Sequence, residues 1–140
     1  MTNHIHLVAS ADEPFNLSGI IRDFKRFTAK QLIKAINENP DESRKEWLLH
    51  MFRFYGNSKS NREVFMFWQD GNHPIELYTP TVIDDKIQYI HMNPVAAGWV
   101  RHPAEYLYCS GSNYWNTGED LFEVEVIEPE VQVIRFGRNT

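Results

Sequence analysis

Two histidines, His4 and His6, stand two residues apart with Ile5 between them. On an extended strand, residues i and i+2 face the same way, about 6.5–7 Å apart along the backbone. Both neutral imidazoles could then reach one divalent cation. Two exposed histidines alternating by chance would leave the same pattern. A second pair lies in KIQYIHMNP, where Tyr89 and Asn93 are four residues apart. On a helix this spacing puts a phenol and a carboxamide on one face, one turn apart. The phenol could act as a nucleophile and the amide as a metal ligand. A phenol with its usual pKa of about 10 needs activation, and a cation polarising a scissile phosphate would help it. A core tyrosine and an asparagine ending a helix before Pro94 have the same spacing, and spacing alone favours that reading. His91 falls on the face away from Tyr89.

These residues need elements to carry them. HIHLVAS alternates as a strand, with His4, His6 and Val8 on one face and Ile5, Leu7 and Ala9 on the other; Ile5 is expected to point into the core. GIIRDFKRFTAKQLIKAI reads as a helix with Ser18 as its cap. Its apolar side is Ile20, Ile21, Phe24, Phe27, Leu32 and Ile36, and Arg22, Arg26 and Lys30 line the opposite face. NENP ends it. DESRKEWLLHMFRFYG is a second helix that stops at Gly56, and NSKSNRE is a polar loop. VFMFWQD is a short strand, and GNHPIELYTP is irregular or bent because of Pro74. TVIDDKIQYIHMN is the last helix, capped by Thr81 and closed by Pro94. VAAGWVRHPAEYLYCSGSNYW reads as a turn and an extended arm. LFEVEVIEPEVQVIRF alternates as one or two strands.

The bulk numbers bound the function. A chain of 140 residues with 42% hydrophobic content fits one domain. No apolar run approaches the roughly 18 residues of a membrane span, and no signal peptide is recognisable. The single Cys109 cannot form an internal disulfide, which fits an intracellular, cytoplasmic chain. The net charge of −5, taken alone, argues against nucleic acid as a partner, because phosphate binding usually needs a basic surface. The charge is uneven, however. Arg22, Lys25, Arg26, Lys30 and Lys34 face a single acid, Asp23, within their segment, whereas Glu119 to Glu130 holds six acids and no base.

The phrases MTNHIHLV, IIRDFKRFTAKQL, FWQDGNHPIEL, YIHMNPVAAGWV and YLYCSGSNY occur in that order. This succession resembles the REP-associated tyrosine transposases, a branch of the single-tyrosine HUH (His-hydrophobe-His) transposases. The resemblance covers residues 1–115; residues 116–140 form an acidic tail with strand character. It implies a single α+β domain with a ferredoxin-like sheet and packed helices. It also implies metal-dependent nicking and joining of single-stranded DNA, often a hairpin, through a covalent 5′-phosphotyrosine intermediate and a free 3′-OH. Matched by motif, Tyr89 is the nucleophile, and His4, His6 and Asn93 hold a divalent ion, Mg²⁺ or Mn²⁺. His73 lies where the family often carries a histidine near the site.

The basic helix then gains a use: Arg22, Lys25, Arg26 and Lys30 could track phosphates, and Trp68 or Trp115 could stack on unpaired bases. In the family a strand and a helix precede the HUH strand, so the expected sheet is incomplete at its N-terminal side. Its open edge could be covered by a second copy, giving a homodimer. Two other readings fit the same residues. One is a catalytically inactive fragment that binds DNA hairpins as a regulator. The other is a metal-dependent hydrolase in which water replaces the tyrosine.

Overall fold

The protein is described by a computed structural model covering residues 3–58, 65–118 and 121–128. The chain divides into two compact units. One is the continuous stretch Ala9–Pro74; the other joins Met1–Val8 to Ile75–Thr140.

The Ala9–Pro74 unit holds two helices. Helix α1 spans Leu17–Glu38. Its first turn is capped by Asn16, whose Oδ1 accepts the Gly19 N–H at 2.7 Å, satisfying a donor the helix itself cannot. Ser18, the expected cap, already lies inside the helix. Helix α2 spans Lys45–Asn57. Aromatic contacts tie the segment after α2 to both helices. Phe67 lies 5.0 Å from Phe52 and 5.3 Å from Trp68, between ring centroids. Trp68 tilts over Phe24 at 6.0 Å, and its Nε1–H donates to Thr28 Oγ1 at 2.9 Å. Such ring pairs contribute about 0.5–1.5 kcal/mol each beyond their buried area.

The second unit is built around α3, Pro80–Ala96. Thr79 is its cap, with Oγ1 accepting the Val82 N–H at 3.3 Å, and Pro80 occupies the first helical position, where a missing N–H costs nothing. The expected cap, Thr81, is therefore one residue into the helix. Pro94 does not close α3, which runs on to Ala96; the proline falls in the last turn, where only one internal bond is forfeited. Beyond α3 come a 3₁₀ turn at Pro103–Glu105 and a short helix, α4, at Gly111–Trp115. This segment was expected to be an extended arm, but the 3₁₀ turn packs against both α3 and α4. Gly111 makes that packing possible. A Cβ there would lie 2.7 Å from the Pro103 carbonyl oxygen. Ile87 and Cys109 are the buried hydrophobic residues among those described.

The ferredoxin-like α+β sheet is not seen: the described residues form helices and no strand. HIHLVAS, the described part of VFMFWQD, and residues 121–128 of the C-terminal alternation have no regular structure. A period of two marks a strand only where a neighbouring strand completes a ladder of backbone hydrogen bonds; among the described residues of these segments no such ladder forms, and the Met66 N–H donates instead to the Phe52 carbonyl of α2 at 2.9 Å. Ile5 is accordingly 52% exposed and Leu7 58%, so neither pins a core. Val64, the first residue of VFMFWQD, most of NSKSNRE and the rest of the C-terminal alternation lie outside the described residues. No helix among the described residues is long and apolar enough to cross a membrane.

Candidate functional site

Although no strand forms, the two histidines of the HxH motif still converge. His4 Nε2 and His6 Nε2 are 3.1 Å apart, and the rings meet edge to face with centroids 4.7 Å apart. In the metal-free chain this is a hydrogen bond between one N–H and one lone pair. The separation also suits a shared cation. Adjacent donors around an octahedral ion with bonds of about 2.1 Å lie about 3 Å apart. A tetrahedral zinc site would hold them about 3.3–3.4 Å apart. His6 is half-buried, and its pKa is lowered, first by burial, then by the neighbouring His4 and the N-terminal charge. Each of these influences favours the neutral ring that ligation requires.

The same unit brings the tyrosine to this pair. The ring of Tyr89, on α3, stands edge to face against His6 at 5.6 Å between centroids. Tyr89 is 57% exposed. Asn93 lies one turn further along α3, and its Nδ2 donates to the Tyr89 carbonyl at 2.7 Å. That bond fixes the amide and leaves Oδ1 without a hydrogen-bond partner among the described residues. The contact that joins the histidine pair to α3 is that of His6 with Tyr89, and Asn93 Oδ1 forms no hydrogen bond with either histidine. Among the described residues no group of three or more His, Cys, Asp or Glu could hold a metal ion.

His91 sits on the opposite side of α3, about 200° around the helix axis from Tyr89. It is 2% exposed, its Nε2 is 3.0 Å from Ser110 Oγ, and Tyr114 and Trp115 stand against its ring at 4.8 and 5.5 Å. Burial lowers its pKa. His91 therefore joins α3 to α4 and is not part of the HxH and tyrosine group. A cavity of about 290 Å³ opens beside it, and His91, Tyr114 and Trp115 share its wall with Asp84, Gln88 and Ile127.

The remaining expected site residues lie in the Ala9–Pro74 unit. His73 is exposed in the irregular segment before Pro74. On α1, Arg22 is held by Asp23, with Nε 2.9 Å from Oδ1. Lys25 donates from Nζ to the carbonyls of Gln69 and Gly71 at 3.2 and 2.9 Å; it ties down a loop before it meets any phosphate. Arg26 and Lys30 form no hydrogen bond or ion pair among the described residues. Trp68 is engaged with Thr28 and Phe24, so it is no free stacking platform, whereas Trp115 keeps 47% of its surface exposed.

One neighbour of the site escaped the sequence reading. Asn3 Oδ1 lies 2.7 Å from His4 Nδ1. A short amide directly before the motif was the available signal. Compared with protein-family models, with curated proteins and with solved structures, the chain finds no match.

Proposed function

We propose that this chain nicks and rejoins single-stranded DNA through Tyr89. The observation that carries the reading is the meeting of His4, His6 and Tyr89, residues from distant parts of the sequence, in one compact unit. The motif order that resembles the REP-associated tyrosine transposases supports it.

In this reading the exposed Tyr89 hydroxyl approaches a backbone phosphate. Its oxygen forms a bond to phosphorus as the bond from phosphorus to the 3′ oxygen breaks. The products are a 5′-phosphotyrosine and a 3′-OH, and the phenolic proton ends on the 3′ oxygen. The reverse attack by that 3′-OH restores the tyrosine and rejoins the strand. His4, His6 and the Oδ1 of Asn93 are the groups that would hold Mg²⁺ or Mn²⁺. When bound, the ion would supply charge to the phosphate oxygens and lower the demand on a weak nucleophile. His6 orients the phenol through its ring edge, and Asn93 is anchored to the backbone of the same turn. Arg26 and Lys30 are the cations most available for a single strand or hairpin. A DNA substrate and a lone cysteine fit a cytoplasmic chain, and a second copy of the chain is a further partner this reading admits.

The test is intact-protein mass spectrometry after incubation with single-stranded hairpin oligonucleotides and Mn²⁺. A mass gain equal to a cleaved 5′-phosphoryl fragment, mapped to Tyr89, is the expected result. Cleaved DNA with no adduct would replace the tyrosine with water as nucleophile. Salt-sensitive binding with no cleavage would make the chain a hairpin-binding regulator.

A further inference from the structure

Each histidine of the pair can carry its proton on either ring nitrogen, and only a ring protonated at Nδ1 offers Nε2 to a cation. The two Nε2 atoms face each other at 3.1 Å, so in the metal-free chain one of them must donate. Which one is decided outside the pair. The atom 2.7 Å from His4 Nδ1 is the carboxamide oxygen of Asn3, which accepts and cannot donate. His4 Nδ1 must then carry the proton, and its Nε2 is the lone pair. His6 consequently donates from Nε2 to His4. The two rings are chemically alike but set differently: His4 is ready to ligate, and His6 must first move its proton to Nδ1.

We propose that Asn3 is a positioning residue: its Oδ1 holds His4 in the Nδ1–H form and turns Nε2 toward the place where a divalent cation would sit. This rests on the metal reading of His4 and His6 for its use, but the proton position exists without metal. Outer partners of this kind fix ring orientation and ligand basicity, and their loss typically costs 10–100-fold in metal affinity. The Asn3 bond is exposed, so the lower end of that range applies here, about tenfold.

The experiment is ¹⁵N-detected histidine NMR of the full chain without metal, followed by titration with Mn²⁺ read as paramagnetic broadening of the His4 and His6 ring signals. Wild type, Asn3→Ala and Asn3→Asp are compared, with the backbone amide spectrum of α3 as the check on folding. The expected result is a His4 ring protonated at Nδ1 in wild type and in Asn3→Asp, which keeps an acceptor oxygen, and a mixture of tautomers in Asn3→Ala. Mn²⁺ affinity should fall about tenfold in Asn3→Ala and recover in Asn3→Asp. An unchanged His4 tautomer in Asn3→Ala would overturn the inference even if Mn²⁺ still binds. A tautomer that shifts as expected in a chain that never binds Mn²⁺ would uphold the role of Asn3 and overturn the metal reading instead.

Discussion

Helix α3 presents two faces made from similar residues and set to opposite ends. On one, Ile87, His91 and Pro94 are buried, and His91 is closed in by Ser110, Tyr114 and Trp115. On the other, Tyr89 is open, with the rim of His6 beside it. The contrast between His91 and His6 is the instructive one. Both rings have lowered pKa values, chiefly through burial. His91 offers no route to a large substrate, because α4 covers it. The ring of His6 ends at another imidazole and at an exposed phenol. A shifted histidine therefore says little by itself; what its free nitrogen faces decides whether it holds the fold or does chemistry.

Exchanging the roles of the two faces is the strongest test of that contrast. If the proposed chemistry holds, Tyr89→Phe should abolish the covalent DNA adduct that mass spectrometry is expected to detect with the wild-type chain. Its effect on unfolding free energy should stay within about 0.5 kcal/mol, since the hydroxyl is on an exposed side chain. His91→Ala should do the reverse. It should cost about 2–4 kcal/mol in urea unfolding, from the lost packing and the orphaned Ser110 hydroxyl, while adduct yield per folded molecule stays near wild type. A large stability loss in the tyrosine variant, or a lost adduct in folded His91→Ala, would erase the distinction between the faces.

A smaller effect separates the faces by pH. The folded pKa of His91 lies below the ordinary value of 6.5. The unfolded chain therefore binds the proton first as the pH falls. The contribution of neutral His91 is complete above about 6.5 and is lost as the pH drops through the folded value. The slope there is at most about 1.4 kcal/mol per pH unit. His91→Gln should flatten that acid limb of the stability curve. A limb that persists unchanged in His91→Gln would remove His91 as its source.

The smallest expected effect carries the contrast between engaged and unengaged side chains to α1. Arg22 and Lys25 already have partners in Asp23 and in two backbone carbonyls, whereas Arg26 and Lys30 form no hydrogen bond or ion pair among the described residues, Arg26 acting on Asp23 only through its charge. Replacing Arg26 and Lys30 together by alanine should lower the salt slope of single-strand binding by about 1.4, two contacts at about 0.7 each. Arg22→Ala should change it less. Equal slopes for the two variants would remove α1 from the nucleic-acid surface.

The helices were legible in the sequence because their evidence is local. The apolar period of α1, α2 and α3 and the polar residues at their starts are properties of a few consecutive turns. Their limits were less legible. Asn16 and Thr79 outcompete Ser18 and Thr81 as caps, since each is placed to reach an N–H of the first turn. The strands were misread because alternation shows only that one face could be buried, not that a partner strand exists. The small helix α4 and the 3₁₀ turn were missed because their order comes from packing on α3 and from Gly111, not from periodicity. In the site, spacing suggested His4 with His6 and Tyr89 with Asn93, but nothing local could show that His6 meets Tyr89. The engagement of Lys25 with Gln69 and Gly71 was equally invisible, since it joins residues far apart in the chain.

Asn93 itself raises a question of ligand choice. For a hard cation a carboxylate is the stronger donor, and Asp is isosteric with Asn. Yet the Asn93 side chain uses its NH₂ group to grip the Tyr89 carbonyl, and a carboxylate has no hydrogen to give. An aspartate at position 93 would face that carbonyl oxygen with like partial charge and swing away from it. Under the proposed reading the neutral amide would give up attraction for an ion and gain a fixed bearing, so the substitution that looks like an improvement in charge would leave the oxygen unaimed.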